Sequence, residues 1–184
     1  MKMVALLRGI NVGGNRKIPM PALCAVATEA GLTEVRSYIQ SGNLVFDAGK
    51  RKADQVVTLL EKAIEEHFRF QVDVIVRTAS QWKKYSAGSP FPGAARDRPN
   101  LLHLGLSKLP CSKDLAAKLG ERAMHGEKIK VLDDAIWVDF AASVGKSKLT
   151  PVVFHKAAGS PVTMRNWNTV LKLDEMLSGV TQRT

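Results

Sequence analysis

Apolar positions open the chain: residues 4–10 form a run broken only by Arg8 and Gly9, the pattern of a strand covered on at least one face. A glycine-bearing loop follows, Asn11-Val12-Gly13-Gly14-Asn15-Arg16-Lys17. Pro19 and Pro21 then suit the first turn of a helix, because the N–H that proline lacks would have no partner there. Leu23, Val26, Ala27 and Ala30 recur at helical spacing up to Gly31, which supplies a left-handed stop. Residues 35–40 and 43–47 read as two strands around Ser41-Gly42, since glycine accepts the positive φ that a tight turn demands. Residues 54–68 place Val56, Leu60, Ile64 and Phe68 on one stripe, with Glu61, Lys62, Glu65 and Glu66 off it, and predict a helix with one face inward. Residues 72–76, Val-Asp-Val-Ile-Val, predict a strand that closes the set.

The order strand, helix, strand, strand, helix, strand is the split βαβ arrangement of a ferredoxin-like unit. Residues 86–99, rich in Ser, Gly, Pro and Arg, break the pattern and predict a linker. Beyond it, residues 101–106 read as a strand, 113–122 as a helix, and 128–132 with 136–140 as a hairpin turning at Asp133-Asp134. Residues 150–158 and 163–177 both read as helix, and no final strand stands out. The expectation is an α+β chain of two ferredoxin-like units, residues 1–88 and 99–184, the second degenerate with a helical C-terminal end.

Composition adds a partner class. Apolar residues make up 45% of the chain and charged residues 24%, the balance of a packed protein and not of a disordered one. The 27 Lys and Arg outweigh the 17 Asp and Glu to leave a charge of +10, a field that attracts polyanions such as nucleic acid or a phosphorylated small molecule. The competing reading of the same charge is solubility alone. Cys24 and Cys111, without a nearby Cys or His, predict reduced thiols and a reducing compartment. The first apolar run is too short for a signal peptide core or a membrane span, so the expected location is cytoplasmic, with no membrane partner.

In a split βαβ unit the first two strands run the same way, so the loop after the first and the turn after the second share one end of the sheet. Arg8, Asn11, Gly13, Gly14, Asn15, Arg16 and Lys17 would then face Gln40, Ser41, Gly42 and Asn43. The N-terminus of the first helix adds partial positive charge, and the resulting rim suits an anion or a polar ligand. A plainer role is open to the same residues: glycines for turn geometry and asparagines for capping backbone groups. Lys146 and Lys148, in Val144-Gly145-Lys146-Ser147-Lys148, imitate the end of a phosphate loop, but Phe140 stands where its first glycine belongs. The two lysines remain as candidate point charges for phosphate. Arg165, Asn166 and Asn168 join them as polar candidates on the last predicted helix, which Thr163 would cap. Trp167, sharing a helical face with Met164 and Leu171, reads as core.

Other chemistry lacks its residues. His67, His103, His125 and His155 are scattered without metal-ligand spacing, and G-x-G-x-x-G, a Walker sequence and G-x-S-x-G are all absent. No metal, cofactor or catalytic constellation is therefore predicted. The blocks LLRGINVGGNRKIPM, YIQSGNLVF and TMRNWNTVLKL, in that order, resemble the bacterial family described as domain of unknown function 1697. The resemblance spans nearly the whole chain and implies two ferredoxin-like units, and it implies no activity. Two functional expectations follow: a basic cytoplasmic binding protein for nucleic acid or another phosphorylated partner, or a small-molecule enzyme or sensor with its polar pocket at the glycine-loop rim. Against base stacking, the central strands offer only Tyr38 and Phe46 as aromatics.

Overall fold

The computed structural model describes residues 1–14, 16–112 and 114–179. Its first half runs β1 (Lys2–Leu7), α1 (Met20–Glu29), β2 (Thr33–Tyr38), β3 (Asn43–Asp47), α2 (Ala53–Phe68), β4 (Val74–Thr78) and α3 (Ala79–Ser86). The second half runs α4 (Pro92–Asp97), β5 (Leu102–Ser107), α5 (Leu115–Gly120), β6 (Lys128–Leu132), β7 (Ala135–Asp139), α6 (Pro151–Ala158), β8 (Val162–Asn166) and α7 (Trp167–Ser178). The chain divides into two compact units, Met1–Lys83 together with the stretch from Leu173 onward, and Lys84–Lys172.

The first sheet has the order β2-β3-β1-β4 and the second β6-β7-β5-β8, with antiparallel neighbours throughout. This is the split βαβ order, and it occurs twice. The registers match as well. Leu6 pairs Asn43 and Leu7 pairs Val74 in the first sheet, where Leu106 pairs Ala135 and Ser107 pairs Val162 in the second. Arg77 and Arg165 fall at corresponding positions, and each donates from Nη1 to the carbonyl of the residue before it, at 2.9 and 2.7 Å.

Alternation along the strands fixes where the core sits. Met3, Ala5 and Leu7 of β1, Leu44 and Phe46 of β3 and Val74 and Val76 of β4 meet Leu23 and Ala27 of α1 and Val56, Leu60 and Ile64 of α2 in one cluster. Val4, Leu6, Val45 and Ile75, on the other face, are buried too, which is why β1 reads as an unbroken apolar run. In the second unit Ile136, Val138, Phe140 and Val162 pack with Leu115, Leu119 and Phe154 of α5 and α6. Cys24 packs partly buried against the first of these cores and Cys111 against the second.

Two sequence expectations are corrected. Residues 163–177 do not form one helix: β8 occupies Val162–Asn166 and passes into α7 at Trp167 with no residue between, completing the second sheet. Its alternation was hidden because the buried positions Thr163 and Arg165 are polar, a combination that reads more easily as a helix surface. The cap of α7 is accordingly Asn166, whose Oδ1 accepts from the Thr169 N–H at 2.9 Å, and not Thr163. The predicted linker, for its part, carries the helix α4, entered at Pro92.

Candidate functional site

Three connections converge at one end of the first sheet: residues 8–19 between β1 and α1, residues 39–42 between β2 and β3, and residues 69–73 between α2 and β4. The Leu7 N–H donates to the Gly42 carbonyl at 2.8 Å and the Arg8 N–H to the Asp73 carbonyl at 2.9 Å, tying the end of β1 to both neighbouring connections. Asn11 stitches the first two together. Its Nδ2 donates to the carbonyls of Gln40 at 2.8 Å and Ile18 at 3.0 Å, while its Oδ1 accepts from the Ile18 N–H at 2.8 Å. Asn11 sits at φ 54°, a left-handed conformation that asparagine tolerates better than most side chains. Asn43 is fully buried and donates to the Tyr38 carbonyl at 2.9 Å and the Ser41 hydroxyl at 3.0 Å, closing the turn from within.

Gly42 is where the connections touch most closely. A Cβ there would lie 2.7 Å from Ile10 Cδ1 and 2.8 Å from Leu7 Cβ, on a backbone at φ +73°. Gly13 and Gly14, at φ +59° and +79°, have nothing within 4 Å of such a Cβ, so conformation alone calls for glycine there. Their backbone lies open to solvent, with Arg16, Lys17 and Gln40 exposed beside it in the same connections. Arg8 is partly buried, with Nη1 3.5 Å from Asp73 Oδ2. Asn15 lies outside the described residues. The structure thus brings the predicted rim together and sorts it: Asn11, Gly42 and Asn43 build it, and Gly13, Gly14, Arg16, Lys17 and Gln40 face outward.

The remaining predicted residues belong to the second unit. Lys146 and Lys148 are exposed on either side of a buried Ser147, whose hydroxyl bonds to Glu127 Oε1 and accepts from the Leu149 N–H at 3.1 Å. Burial pushes the Glu127 carboxyl upward, but the Ser147 hydroxyl and backbone N–H groups outweigh it and hold the group below the usual range. Arg165 is buried and donates to Thr163 Oγ1 at 2.9 Å, and burial brings its pKa down to about 10. Asn166 is spent on the α7 cap, and Asn168 Nδ2 donates to Asn100 Oδ1 at 2.8 Å. Sequence reasoning passed over an ion pair here, in which Arg98 grips the buried Asp139 through two hydrogen bonds of 3.1 and 2.6 Å. Among the described residues no group of three or more His, Cys, Asp and Glu is placed to hold a metal ion, and no helix is long and apolar enough to cross a membrane.

Two further features lack a sequence signal. Val12 and Ile39, on the rim of the first unit, are 67% and 50% exposed. On the helical face of that unit a groove of about 420 Å³ runs between α1 and α2, floored by Val26 and Leu59 and edged by Glu29, Lys62, Glu66 and His67.

A family model described as "Protein of unknown function (DUF1697)" matches residues 1–137, most of the chain. The chain belongs to that family. The DUF1697 match contains the whole rim of the first unit, and two of the three sequence blocks fall inside it while TMRNWNTVLKL lies beyond. A solved structure described as a conserved bacterial protein from Streptococcus pneumoniae superposes with a TM-score of 0.74 at 24% identity, covering 96% of this chain and 98% of that one. At that identity the likeness is one of fold, and it extends over both units. No curated protein matches the chain.

Proposed function

We propose that this chain is a cytoplasmic binding protein for nucleic acid or another phosphorylated partner, and that the rim of its first unit makes the contact. One observation carries the reading. The same split βαβ topology closes twice in this molecule, and after the first strand of each copy only the first unit has a long glycine-bearing, basic connection to the following helix. Residues 8–19 join β1 to α1, whereas residues 108–114 join β5 to α5 without a glycine; residues 39–42 form the first hairpin turn, and Asp133-Asp134 alone forms the second. The counterpart after β5 closes without a glycine, which supports a binding role for Gly13, Gly14, Arg16 and Lys17 beyond closing the fold.

The chemistry they offer suits phosphate. Two exposed cations stand beside a stretch of open backbone, and the net charge of +10 draws polyanions toward it. Stacking of bases on an aromatic sheet does not fit, because Phe46 is buried in the core and Tyr38 is partly buried. Phosphates are therefore the main points of attachment, and they position a partner without reading its sequence. A labelled single-stranded oligonucleotide titrated at rising salt tests this: removing one cation that neutralises a phosphate should lower the log–log slope by about 0.7. The double variant R16A/K17A should lower it by about 1.4. An unchanged slope would place the phosphates elsewhere on the protein.

A second reading, a small-molecule enzyme or sensor at the same rim, is favoured by the polar, non-aromatic character of Arg8, Gln40 and Asp73. A thermal-shift panel of phosphorylated metabolites separates the two, since a ligand at about a hundred times its Kd adds about 2.7 kcal/mol.

A further inference from the structure

Ile39 is the residue out of place on this rim. It sits at φ 49°, a left-handed backbone that β-branched side chains rarely adopt, and half of its surface is exposed to water. Asp133, which opens the shorter two-residue turn of the second unit, takes a similar conformation at φ 51° and is of a type that accepts it more readily. The first unit places an aliphatic side chain at the start of its four-residue turn, where the backbone favours glycine or asparagine. Val12, on the facing connection, is more exposed still at 67%. The two flank the 2.8 Å bond between Asn11 Nδ2 and the Gln40 carbonyl, each one residue from it, so they stand on loops that are locked together. Neither belongs to the core of the first unit. Arg16 and Lys17 lie exposed on the connection that carries Val12, closed by the Asn11 N–H to Arg16 carbonyl bond of 3.2 Å.

We infer that Val12 and Ile39 form an apolar wedge that enters a base-pair step of duplex nucleic acid while Arg16 and Lys17 hold the flanking phosphates. The inference rests on the phosphate-binding reading above and extends it. Charge complementarity selects the occupant: the basic flank matches the phosphate backbone on either side of a groove. Aliphatic side chains are the type that pries steps apart, whereas single strands are gripped by exposed aromatics, and Phe70, on the third connection, packs partly buried against the core instead. Entry of such a wedge unstacks the step and bends the duplex.

The test uses the full chain and a short DNA duplex carrying a donor and an acceptor dye at its ends. Wild type should bind with a salt-dependent affinity and raise the energy transfer as the duplex bends. I39N/V12T should bind about tenfold more weakly, the change expected when two aliphatic side chains are withdrawn from the step, and should leave the transfer unchanged while the salt slope persists. Its thermal midpoint should hold or rise, because asparagine accepts the left-handed backbone at position 39, and that excludes misfolding as the cause. A double variant that binds and bends like wild type overturns the wedge and leaves the phosphate reading standing. Absence of any duplex binding at low salt, with single strands still bound, also overturns the wedge alone. Failure to bind either nucleic acid overturns both. Ile39-dependent binding to phosphatidylserine vesicles without duplex bending would show the wedge made for an anionic lipid surface and overturn the assignment.

Discussion

Gly42 and Gly13 both carry positive φ, yet they answer to different constraints. At Gly42 a methyl group would meet Ile10 and Leu7 below 3 Å as well as straining the backbone, while at Gly13 it would meet open space. Gly42→Ala should therefore cost about 2–4 kcal/mol and Gly13→Ala about 1 kcal/mol, read from urea unfolding curves. Equal losses would mean that the two connections do not press together as described. His103 supplies a pH dependence. Its Nδ1 is buried with no hydrogen-bond partner among the described residues, and its ring meets Phe140 edge-on at 5.1 Å. Burial lowers its pKa from 6.5; a backbone hydrogen bond to Leu101 opposes this, and Arg165 adds to it. Because the folded pKa lies below the unfolded one, the unfolded chain binds more protons in the window between them. Stability should fall as pH drops from 6.5 toward the folded pKa, and His103→Gln should flatten that part of the curve. At this scale the sequence announced turn glycines and capping asparagines. It could not say which glycine is pressed by its neighbours, because the atoms that decide it come from Leu7 at the end of β1 and Ile10 just beyond it, remote in sequence from Gly42.

At the scale of elements, both units end a sheet by running a strand straight into a helix, β4 into α3 and β8 into α7. Thr78 and Gln81 cap the first junction reciprocally, with the Thr78 N–H donating to Gln81 Oε1 at 2.9 Å and the Gln81 N–H to Thr78 Oγ1 at 3.3 Å. Asn166 caps the second through a single bond. Asn166→Ala should cost about 1 kcal/mol and Asn166→Asp almost nothing, whereas a helix beginning at Thr163 would make both substitutions interior and nearly neutral. Elements bounded by glycine or a clean apolar stripe were legible: β3 and β6 fall where alternation puts them, and α2 matches its stripe. What stayed hidden were α3, α4 and β8. The helices α3 and α4 are short, and neither is set off by a glycine stop. The strand β8 buries Thr163 and Arg165 where apolar side chains are expected, and no turn residue separates it from α7.

At the scale of the whole molecule, the charge of +10 and most of the repeated element order, all but β8, are visible in the sequence, but their connection is not. Recognising that the first connection is longer than its counterpart in the second unit, and carries glycines that the counterpart lacks, requires setting the two side by side. That comparison depends on strand registers, which pair Leu6 with Asn43 and Leu106 with Ala135. The central claim is that the phosphate-binding surface is the rim of the first unit and not the basic charge spread over the chain. The most direct test compares R16E/K17E with K146E/K148E, two variants with the same change in net charge, in binding a labelled oligonucleotide at fixed low salt. R16E/K17E should lose at least about tenfold in affinity, more than about 1.4 kcal/mol, while K146E/K148E stays within about threefold of wild type. Equal losses in the two variants, or a larger loss in K146E/K148E, would contradict the claim.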